Sequence, residues 1–400
     1  MTDFSELLSQ ALRHRGEDPV SLLFTKTKLG DVHPKLVAQQ LQGFELAKLK
    51  WPSLALNDHI VYPPHINCEQ SSSEVAANYK ADSIVGVANS LADLTGGMAV
   101  DTMAFAHCVK TVDYVELNEE LVTIVKHNLQ VLGVTNITVH SDDSSHWLST
   151  AHNHYDWLYL DPARRDTMGR RVVSLADCFP NVVELLPTLK KLSDKILIKA
   201  SPMVDITETC LMLHCVSDVH IVSVNHECKE ALFVVDCNRQ TVDLDETELT
   251  CVDIFGSTLW KNNYRLSDER HAHALFADRI GGYLYEPNPS LMKAGAYNSL
   301  SLWYGVQKLA RNTHLYTSDQ LVDDFPGRIF QVESQVPLNR KALAPLLHEA
   351  KVNVVVRNFP ATAASLRSQL ALSEGGEKFL FATTLGCHKT GILCQRIATN

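Results

Sequence analysis

Residues 91–101 read LADLTGGMAVD, and residues 112–118 read VDYVELN. Each stretch begins as a short apolar run that is typical of a buried strand. The first run ends in the turn Gly96-Gly97, and the second ends in Glu116. In a parallel sheet, a glycine turn after one strand lets the backbone approach a ligand, and a carboxylate after the next strand can bind a ribose diol. The two stretches therefore predict a site for a nucleotide-type cofactor at the edge of a parallel sheet.

The spacing of the glycines indicates which class of cofactor suits this turn. A dinucleotide fingerprint carries a further glycine after the first two, where the backbone packs closely next to the bound pyrophosphate. Here Gly97 is followed by Met98 and Ala99, so the third glycine is absent. The pattern favours a cofactor that has no pyrophosphate.

Strand-like and helix-like patterns alternate from about residue 90 to residue 240. Short apolar stretches predict strands, and the segments between them predict helices. The predicted strands are 111–117, 136–141, 155–161, 194–200, 219–225 and 231–237, and the predicted helices are 118–132, 173–191 and 205–215. This alternation is typical of an α/β fold with a doubly wound, mostly parallel sheet. Residues 225–230, NHECKE, form a charged turn that could border the site, although the solvated end of a hairpin at the edge of the sheet is the expected structure.

Composition restricts the class of protein. The chain has 400 residues, 45% of them hydrophobic and 20% charged, as is ordinary for a globular protein of about two or three domains. The first twenty residues include acids and lack an apolar core, and no run reaches about 18 apolar residues. We therefore expect neither a signal peptide nor a membrane span. Ten scattered cysteines without a CxxC pair predict reduced thiols in a cytoplasmic protein, and no metal site.

The charges are unevenly distributed along the chain. The net charge of −10 by itself argues against a nucleic-acid partner. Residues 326–400, however, contain 9 Lys or Arg and 4 Asp or Glu, a net of +5, whereas residues 1–325 contain 27 and 42, a net of −15. A basic module on an acidic chain is compatible with a polyanion such as RNA. An ordinary basic surface explains the same charges equally well.

Polar residues follow several predicted strands, at the edge where open α/β sheets bind ligands. Glu116 suits the two hydroxyls of a ribose, and Asp142 suits the exocyclic amine of an adenine. Asp93 or Asp101 could meet an amino-acid ammonium. The cofactor that requires all three contacts is S-adenosylmethionine. The predicted cofactor-binding residues are Asp93, Thr95, Gly96, Gly97, Asp101, Glu116 and Asp142.

The chain resembles the class I S-adenosylmethionine-dependent methyltransferases. The resemblance rests on DLTGG (93–97), VELN (115–118), the SDD turn (141–143) and YLDPARRD (159–166). Beyond this core, YLYEPNPSLMKAGAY (283–297) and FPGRIFQV (325–332) resemble a bacterial family that adds a ferredoxin-like segment and a C-terminal THUMP-like domain. The resemblance implies a Rossmann-like, seven-stranded methyltransferase sheet, an N-terminal helical region and small α+β C-terminal domains. It also suggests RNA as the substrate, because THUMP domains in related enzymes bind RNA.

The motif DPAR places Asp161 and Pro162 where amino-group methyltransferases carry Asp or Asn, two prolines and an aromatic residue. In those enzymes the side-chain oxygen and a proline carbonyl accept the hydrogens of the target amine, so that transfer needs mainly in-line placement. The resemblance thus implies that Asp161 and Pro162 are the catalytic residues. Arg164 replaces the aromatic residue; it could stack on a base, or Arg164 and Arg165 could bind phosphate or pair with carboxylates. Arg357 is a further candidate for substrate binding.

The expected domains are an N-terminal helical region (1–80), a methyltransferase domain (81–240), a β-rich connector with a ferredoxin-like segment (241–324) and a THUMP-like domain (325–400). The expected function is methyl transfer to RNA, with an amine nitrogen of a base as the first guess. Two alternatives stay open: the same core acting on a protein or small molecule, and a non-catalytic RNA-binding protein with a relic cofactor pocket. Lys80 could cover the cofactor or belong to a plain connecting helix.

Overall fold

The computed structural model describes residues 4–24, 28–163, 174–239 and 244–397. The chain forms two compact units. The first consists of Met1–Val219 and Glu230–Asp243, and the second consists of His220–Lys229 and Leu244–Asn400. Within the described ranges, no helix is both long enough and apolar enough to cross a lipid bilayer.

The first unit begins with short helices whose first turns are stabilised locally. The side chains of Asp18 and Ser73 accept hydrogen bonds from backbone N–H groups, and Pro34 and Pro52 occupy first-turn positions whose N–H would lack a helical partner. A π-helix, Lys80–Val85, follows the last of them. The helices are α1 (Ser5–Arg13), α2 (Pro19–Leu23), α3 (Pro34–Lys50), α4 (Pro52–Ala55), α5 (His65–Gln70) and α6 (Glu74–Tyr79).

A mostly parallel sheet follows these helices. Its strands are β1 (Ala88–Asp93), β2 (Val109–Glu116), β3 (Ile137–Ser141), β4 (Tyr155–Leu160), β5 (Ser193–Ala200), β6 (Val216–Val224) and β7 (Glu227–Asp236). They take the order β3-β2-β1-β4-β5-β7-β6. Strands β1 to β5 are parallel, and β7 is antiparallel to β5. The strand order reverses between β1 and β4, and such a switch point opens a crevice for a ligand at the carboxyl ends of the strands.

The helices between these strands begin where polar side chains cap them. Asn118 caps the helix after β2, which ends at Gly133 in the left-handed conformation, and its apolar residues pack against Tyr114 and Val139 of the sheet. The helices are α7 (Val100–Phe105), α8 (Glu119–Leu132), α9 (Ser144–Thr150), α10 (Val182–Leu192) and α11 (Ile206–Leu213).

The second unit contains another sheet, which is covered on both faces. Its strands are β10 (Tyr283–Pro287), β11 (Gln307–Ala310), β12 (Thr313–Ser318), β13 (Gly327–Val336), β14 (Asn353–Val356), β15 (Lys378–Leu385) and β16 (His388–Arg396), in the order β11-β12-β10-β13-β16-β15-β14. The neighbouring residues Leu380 and Phe381 belong to two different buried clusters, because successive side chains of a strand point to opposite faces. The helices are α12 (Leu266–His271), α13 (Pro289–Ala294), α14 (Ser299–Tyr304), α15 (Arg340–Leu343) and α16 (Ala363–Leu370).

The first sheet has two strands more than the seven that were predicted. These strands, β8 (Glu248–Phe255) and β9 (Thr258–Arg265), are antiparallel to each other, and the order continues β6-β8-β9. The second half of β6 belongs to the second unit together with β8 and β9. The acidic and apolar residues after position 240 predicted β-structure but not its place in the sheet.

Two predicted boundaries were wrong. The helix predicted at 173–191 is in its described part a short 3₁₀ turn, Leu175–Asp177, followed by α10, because Pro180 and the capping side chain of Asn181 start a new helix. The hairpin turn predicted at 225–230 is shorter, since only the residues between β6 and β7, Asn225 and His226, form it, both with positive φ (51° and 60°). Tight hairpins use such turns, and strand β7 consequently starts earlier than predicted.

Candidate cofactor and acceptor site

Asp93 ends β1 and is 1% exposed. Its Oδ1 accepts a hydrogen bond from the N–H of Thr95 (3.0 Å), and its Oδ2 accepts one from the hydroxyl of Thr102 (2.6 Å). Burial raises the pKa of the Asp93 carboxyl to about 7; the two hydrogen bonds oppose this rise, and the charges of Asp101 and Asp161 add to it. The two hydrogen bonds of Asp93 thus connect the glycine turn to α7, the helix that follows the turn.

The glycines of the turn are required for different reasons. A Cβ on Gly96 would lie 2.2 Å from the ring of Tyr114, so the buried ring itself fills the space beside this glycine. Gly97 has a φ of +53°, which favours glycine, and Ala99 adopts the left-handed region as well, at 64°. The hydroxyl of Tyr114 donates a hydrogen bond to the carbonyl of Gly97 (2.7 Å). Gly96 therefore has a packing role that requires no ligand.

Glu116 ends β2 beside this turn. Its Oε2 accepts a hydrogen bond from the N–H of Gly97 (2.9 Å), and its Oε1 accepts one from the N–H of Asn118 (2.8 Å). Each carboxylate oxygen can accept a second hydrogen bond, so two neighbouring hydroxyls could bind the same group. The turn after one strand and the carboxylate after the next lie together because β1 and β2 are parallel neighbours.

Asp142 follows β3 and is tied to the same edge. Its N–H donates to the carbonyl of Glu116 (3.1 Å), and its carboxylate accepts hydrogen bonds from Nδ1 of His146 (2.8 Å) and from the N–H of Asp143. The hydrogen bond from His146 holds the pKa of Asp142 below its ordinary value. Both carboxylates that were predicted to bind a nucleoside are thus next to each other.

Asp161 and Pro162 follow β4. The N–H of Asp161 donates to the hydroxyl of Thr95 (2.6 Å), which joins this loop to the glycine turn. The Oδ2 of Asp161 accepts a hydrogen bond from Nζ of Lys199 (2.5 Å), near the end of β5. The predicted acceptor-binding carboxylate therefore has a cationic partner that the sequence analysis missed. Arg164 and Arg165 lie outside the described residues.

Lys80, Asp101 and Glu230 form a buried ionic group in the first unit. Their exposed fractions are 0%, 8% and 2%. Nζ of Lys80 lies 2.8 Å and 3.0 Å from the two carboxylate oxygens of Glu230, and 3.2 Å from Oδ1 of Asp101. Glu230 reaches this edge because β7 runs antiparallel to β5, whose last residue, Ala200, pairs with Ala231. Lys80 opens the π-helix, a form often found at functional sites.

The buried ionic group and the Asp161–Lys199 pair are close enough to interact electrostatically. Burial favours the neutral amine of Lys199, but the charges of Asp161, Asp101 and Glu230 outweigh it and raise its pKa above its ordinary value. Burial likewise opposes ionisation of Asp101, but the positive charges of Lys80 and Lys199 and the hydrogen bonds from Tyr159 and Ser72 hold its pKa below its ordinary value. We call these five residues the charge cluster: Lys80, Asp101, Asp161, Lys199 and Glu230.

Only part of this cluster follows from the sequence. Glu230 was expected in a solvated turn but is buried in β7, and Asp101, which was expected to meet an ammonium, already contacts that of Lys80. The available signal for Lys199 was a lysine within the apolar strand DKILIKA. Across the described ranges, no group of three or more His, Cys, Asp or Glu side chains is placed to hold a metal ion.

Arg357 lies in the second unit and already has an acidic partner. Its guanidinium is 2.5 Å from Oε1 of Glu286, whose Oε2 accepts a hydrogen bond from Nε of Arg328 (2.8 Å). Arg367 likewise lies 3.3 Å from Glu374. Part of the positive charge that the sequence shows after Pro326 is therefore compensated locally.

Two domain families match the second unit. Residues 283–326 match a family described as a ferredoxin-like domain, and residues 327–396 match one described as THUMP domain-like. The comparison with curated proteins gave no match.

Among solved structures, a "putative methyltransferase" from Porphyromonas gingivalis W83 is similar over the whole of both chains, with 29% identity and a TM-score of 0.87. A structure of M. capricolum TrmK in complex with S-adenosyl-homocysteine is 12% identical over 43% of this chain and 71% of that one, with a TM-score of 0.34. An rRNA methylase from Streptococcus thermophilus is 12% identical over 40% of this chain and 93% of that one, with a TM-score of 0.30.

The similarity over the full length, together with the two domain matches, confirms the predicted fold class and the predicted resemblance. It also agrees with the geometry at the switch point, where the polar residues after β1, β2, β3 and β4 meet. The chain therefore resembles this methyltransferase in architecture over its full length, with a ferredoxin-like domain followed by a THUMP-like domain.

Proposed function

We propose that the chain transfers a methyl group from S-adenosylmethionine to RNA, with an amine nitrogen of a base as the acceptor. One observation carries this proposal: the hydrogen bond between Asp161 and Thr95 joins the acceptor-type loop after β4 to the cofactor-type turn after β1. A methyl donor bound at the turn after β1 and a methyl acceptor bound at the loop after β4 would lie at the same edge of the sheet. Methyl transfer requires this proximity.

The residues at this edge fit S-adenosylmethionine. Glu116 would accept the ribose hydroxyls and Asp142 the adenine amine. The cofactor carries a sulfonium and an ammonium against one carboxylate, a net charge of +1, which suits an edge that presents the carboxylates of Glu116 and Asp142. A dinucleotide with two phosphates lacks this complementarity. When bound, the cofactor supplies an electrophilic methyl group.

Asp161 would orient the acceptor. Lys199 holds Oδ2, so the carboxylate has one fixed orientation, and Oδ1 together with the carbonyl of Pro162 would accept the hydrogens of an amine. The lone pair of the nitrogen would then point along the line of transfer, and the chain would need no separate base to begin the reaction. Lys199 acts through Asp161 and is therefore a positioning residue.

RNA as the substrate is supported by the module at the end of the chain. Residues 327–396 match a family described as THUMP domain-like, and residues 326–400 carry a net charge of +5. A basic surface attracts a polyanion through counterion release. The alternative acceptors, a protein or a small molecule, would not require this charge.

Labelled cofactor offered to total RNA, protein and metabolite pools tests the function. We expect label in RNA. Asp161→Ala should lower turnover by about 100-fold or more and leave cofactor affinity nearly unchanged, because the residue faces the acceptor. Asp177→Ala, an exposed aspartate of the 3₁₀ turn, is the matched control and should behave as the wild type. Label in protein or metabolites would contradict the RNA assignment, and no label in any pool would contradict catalysis.

A further inference from the structure

A cavity of about 450 Å³ in the second unit is lined by aromatic, cationic and amide side chains. The rings of Tyr297 and His314 and the cations of Lys308 and Arg311 form part of its wall, together with Asn312. No carboxylate is among the described residues that line it. Pockets of about 300–1,000 Å³ bind small molecules in other proteins.

The wall is held by main-chain and side-chain hydrogen bonds. The N–H of Lys308, in β11, donates to the carbonyl of Leu275 (2.7 Å), and its carbonyl accepts from the N–H of Ala277 (3.0 Å). The hydroxyl of Tyr297 donates to the carbonyl of Met292, and its own carbonyl accepts from the hydroxyl of Tyr316. The backbone of Lys308 and the side chain of Tyr297 are therefore held in place before any ligand arrives.

Two aromatic rings in the wall are stacked. The ring centroids of Tyr297 and His314 are 3.8 Å apart, with an angle of 21° between the planes. Burial, with a contribution from the charge of Lys308, lowers the pKa of His314 to about 4, so the imidazole is neutral at physiological pH. Its Nδ1 is buried and has no hydrogen-bond partner in the part of the chain that the structure describes. A planar ligand could add a ring to the stack.

Lys308 is a buried cation without an anionic partner. It is 2% exposed, and its Nζ donates to the carbonyl of Arg311 (2.9 Å) and lies 5.6 Å from the ring centroid of Tyr297. Among the described residues, no carboxylate lies within 4.0 Å of it. Burial lowers the pKa of Lys308, and the charge of Glu269 opposes this only in part; the oxygens of that carboxylate accept hydrogen bonds from the N–H groups of Asn298 and Ser299. An anionic ligand would favour the charged form of the amine. A buried cation of this kind favours an anionic ligand.

We propose that this cavity binds a nucleotide, with the phosphate at Lys308 and Arg311 and the base against the ring pair of Tyr297 and His314. The site lies within the second unit, apart from the residues after β1 to β4, and goes beyond the proposed methyl transfer. A free mononucleotide and a nucleotide unit of RNA offer the same phosphate and the same planar base.

Calorimetry on the full chain, without S-adenosylmethionine, tests this site. The probes are the four nucleoside monophosphates, adenosine, inorganic phosphate and a short single-stranded RNA that carries a 5′-phosphate. We expect a nucleotide to bind at least about tenfold more tightly than adenosine or phosphate alone, because each of those lacks one half of the contacts. Lys308→Met and Arg311→Gln should each weaken that binding by about tenfold or more.

Two control variants test whether the nucleotide binds in this cavity. Arg279→Gln removes an exposed arginine of the same unit that pairs with Asp319 and does not line the cavity, and it should leave the affinity unchanged. Glu116→Ala should also leave it unchanged, which separates this site from the proposed cofactor site. Arg311 is exposed, so its variant is informative even if Lys308→Met fails to fold.

The arms of the experiment separate the two sources of the ligand. Tight binding of free monophosphates supports a free nucleotide, and tight binding of the RNA alone, still dependent on Arg311, supports a nucleotide unit of RNA. The proposal is overturned if no probe binds at millimolar concentration, or if Lys308→Met and Arg311→Gln leave the binding unchanged. Loss of methyl transfer would have no bearing on either result.

Discussion

Replacing Lys80 with methionine probes the charge cluster most directly. Lys80 is fully buried, and its ammonium lies 2.8 Å from the nearer oxygen of Glu230 and 3.2 Å from an oxygen of Asp101. With an effective dielectric constant of about 20, Coulomb's law gives about 6 kcal/mol of attraction at the shorter distance, and desolvation offsets part of it. The variant would leave both carboxylates buried without this cation. We expect the free energy of unfolding to fall by about 3–5 kcal/mol.

A double-mutant cycle isolates the ion pair from other effects of the substitution. Urea unfolding, followed by tryptophan fluorescence at pH 7, would be measured for Lys80→Met, for Glu230→Gln and for the double variant. Since the double variant removes both charges, its loss of stability should be smaller than the sum of the single losses by at least about 2 kcal/mol. Lys48→Met, at an exposed lysine, is the control and should change stability by less than about 0.5 kcal/mol. Additive losses, or a loss below about 1 kcal/mol for Lys80→Met, would refute the reasoning.

Glu116→Ala should weaken binding of S-adenosylmethionine by about 1.5–3 kcal/mol in calorimetry, whereas Glu119→Ala, on the exposed start of α8, should not; equal affinities would place the ribose elsewhere. The pKa of the Asp93 carboxyl is raised to about 7 in the folded chain, whereas the same carboxyl in the unfolded chain has a pKa of about 3.9. The folded chain therefore keeps a proton that the unfolded chain releases. The contribution of Asp93 to the free energy of unfolding should fall as pH rises from about 4 through 7. Asp93→Asn should flatten this fall in urea titrations at several pH values, and an unchanged slope would exclude Asp93 as its source. Neutralising Arg357 and Arg367 together should reduce the slope of log RNA affinity against log salt concentration by about one to two in gel shifts. If the chain does not bind RNA even at low salt, the RNA assignment is contradicted.

The sequence predicted which residues after β1 and β2 lie together, because the information for this contact is local. A strand, a tight turn and a carboxylate after the next strand are each visible within a few residues, and parallel pairing brings them together, as the contact between Gly97 and Glu116 shows. The THUMP-like and ferredoxin-like segments were recognised by resemblance, since their charge and periodicity alone do not distinguish them from other small α+β folds.

The charge cluster could not be predicted in the same way, because its partners are far apart in the chain. Lys80 and Glu230 are 150 residues apart in sequence, and no local pattern links a lysine after a short helix to a glutamate that follows a hairpin. The length of that hairpin turn also decided the burial of Glu230. A turn of two residues begins β7 earlier and brings Glu230 into the sheet, whereas the longer predicted turn leaves it in solvent.

The ring of Tyr114 occupies the space that a side chain at position 96 would need. These two positions therefore constrain each other, although they are 18 residues apart in the chain and no ligand is involved. In related sequences we expect them to change as a pair, with a larger residue at position 96 only where position 114 carries a smaller one. The need for glycine in a cofactor turn can thus depend on the size of a neighbouring core aromatic residue. A relative without this glycine has therefore not necessarily lost the cofactor.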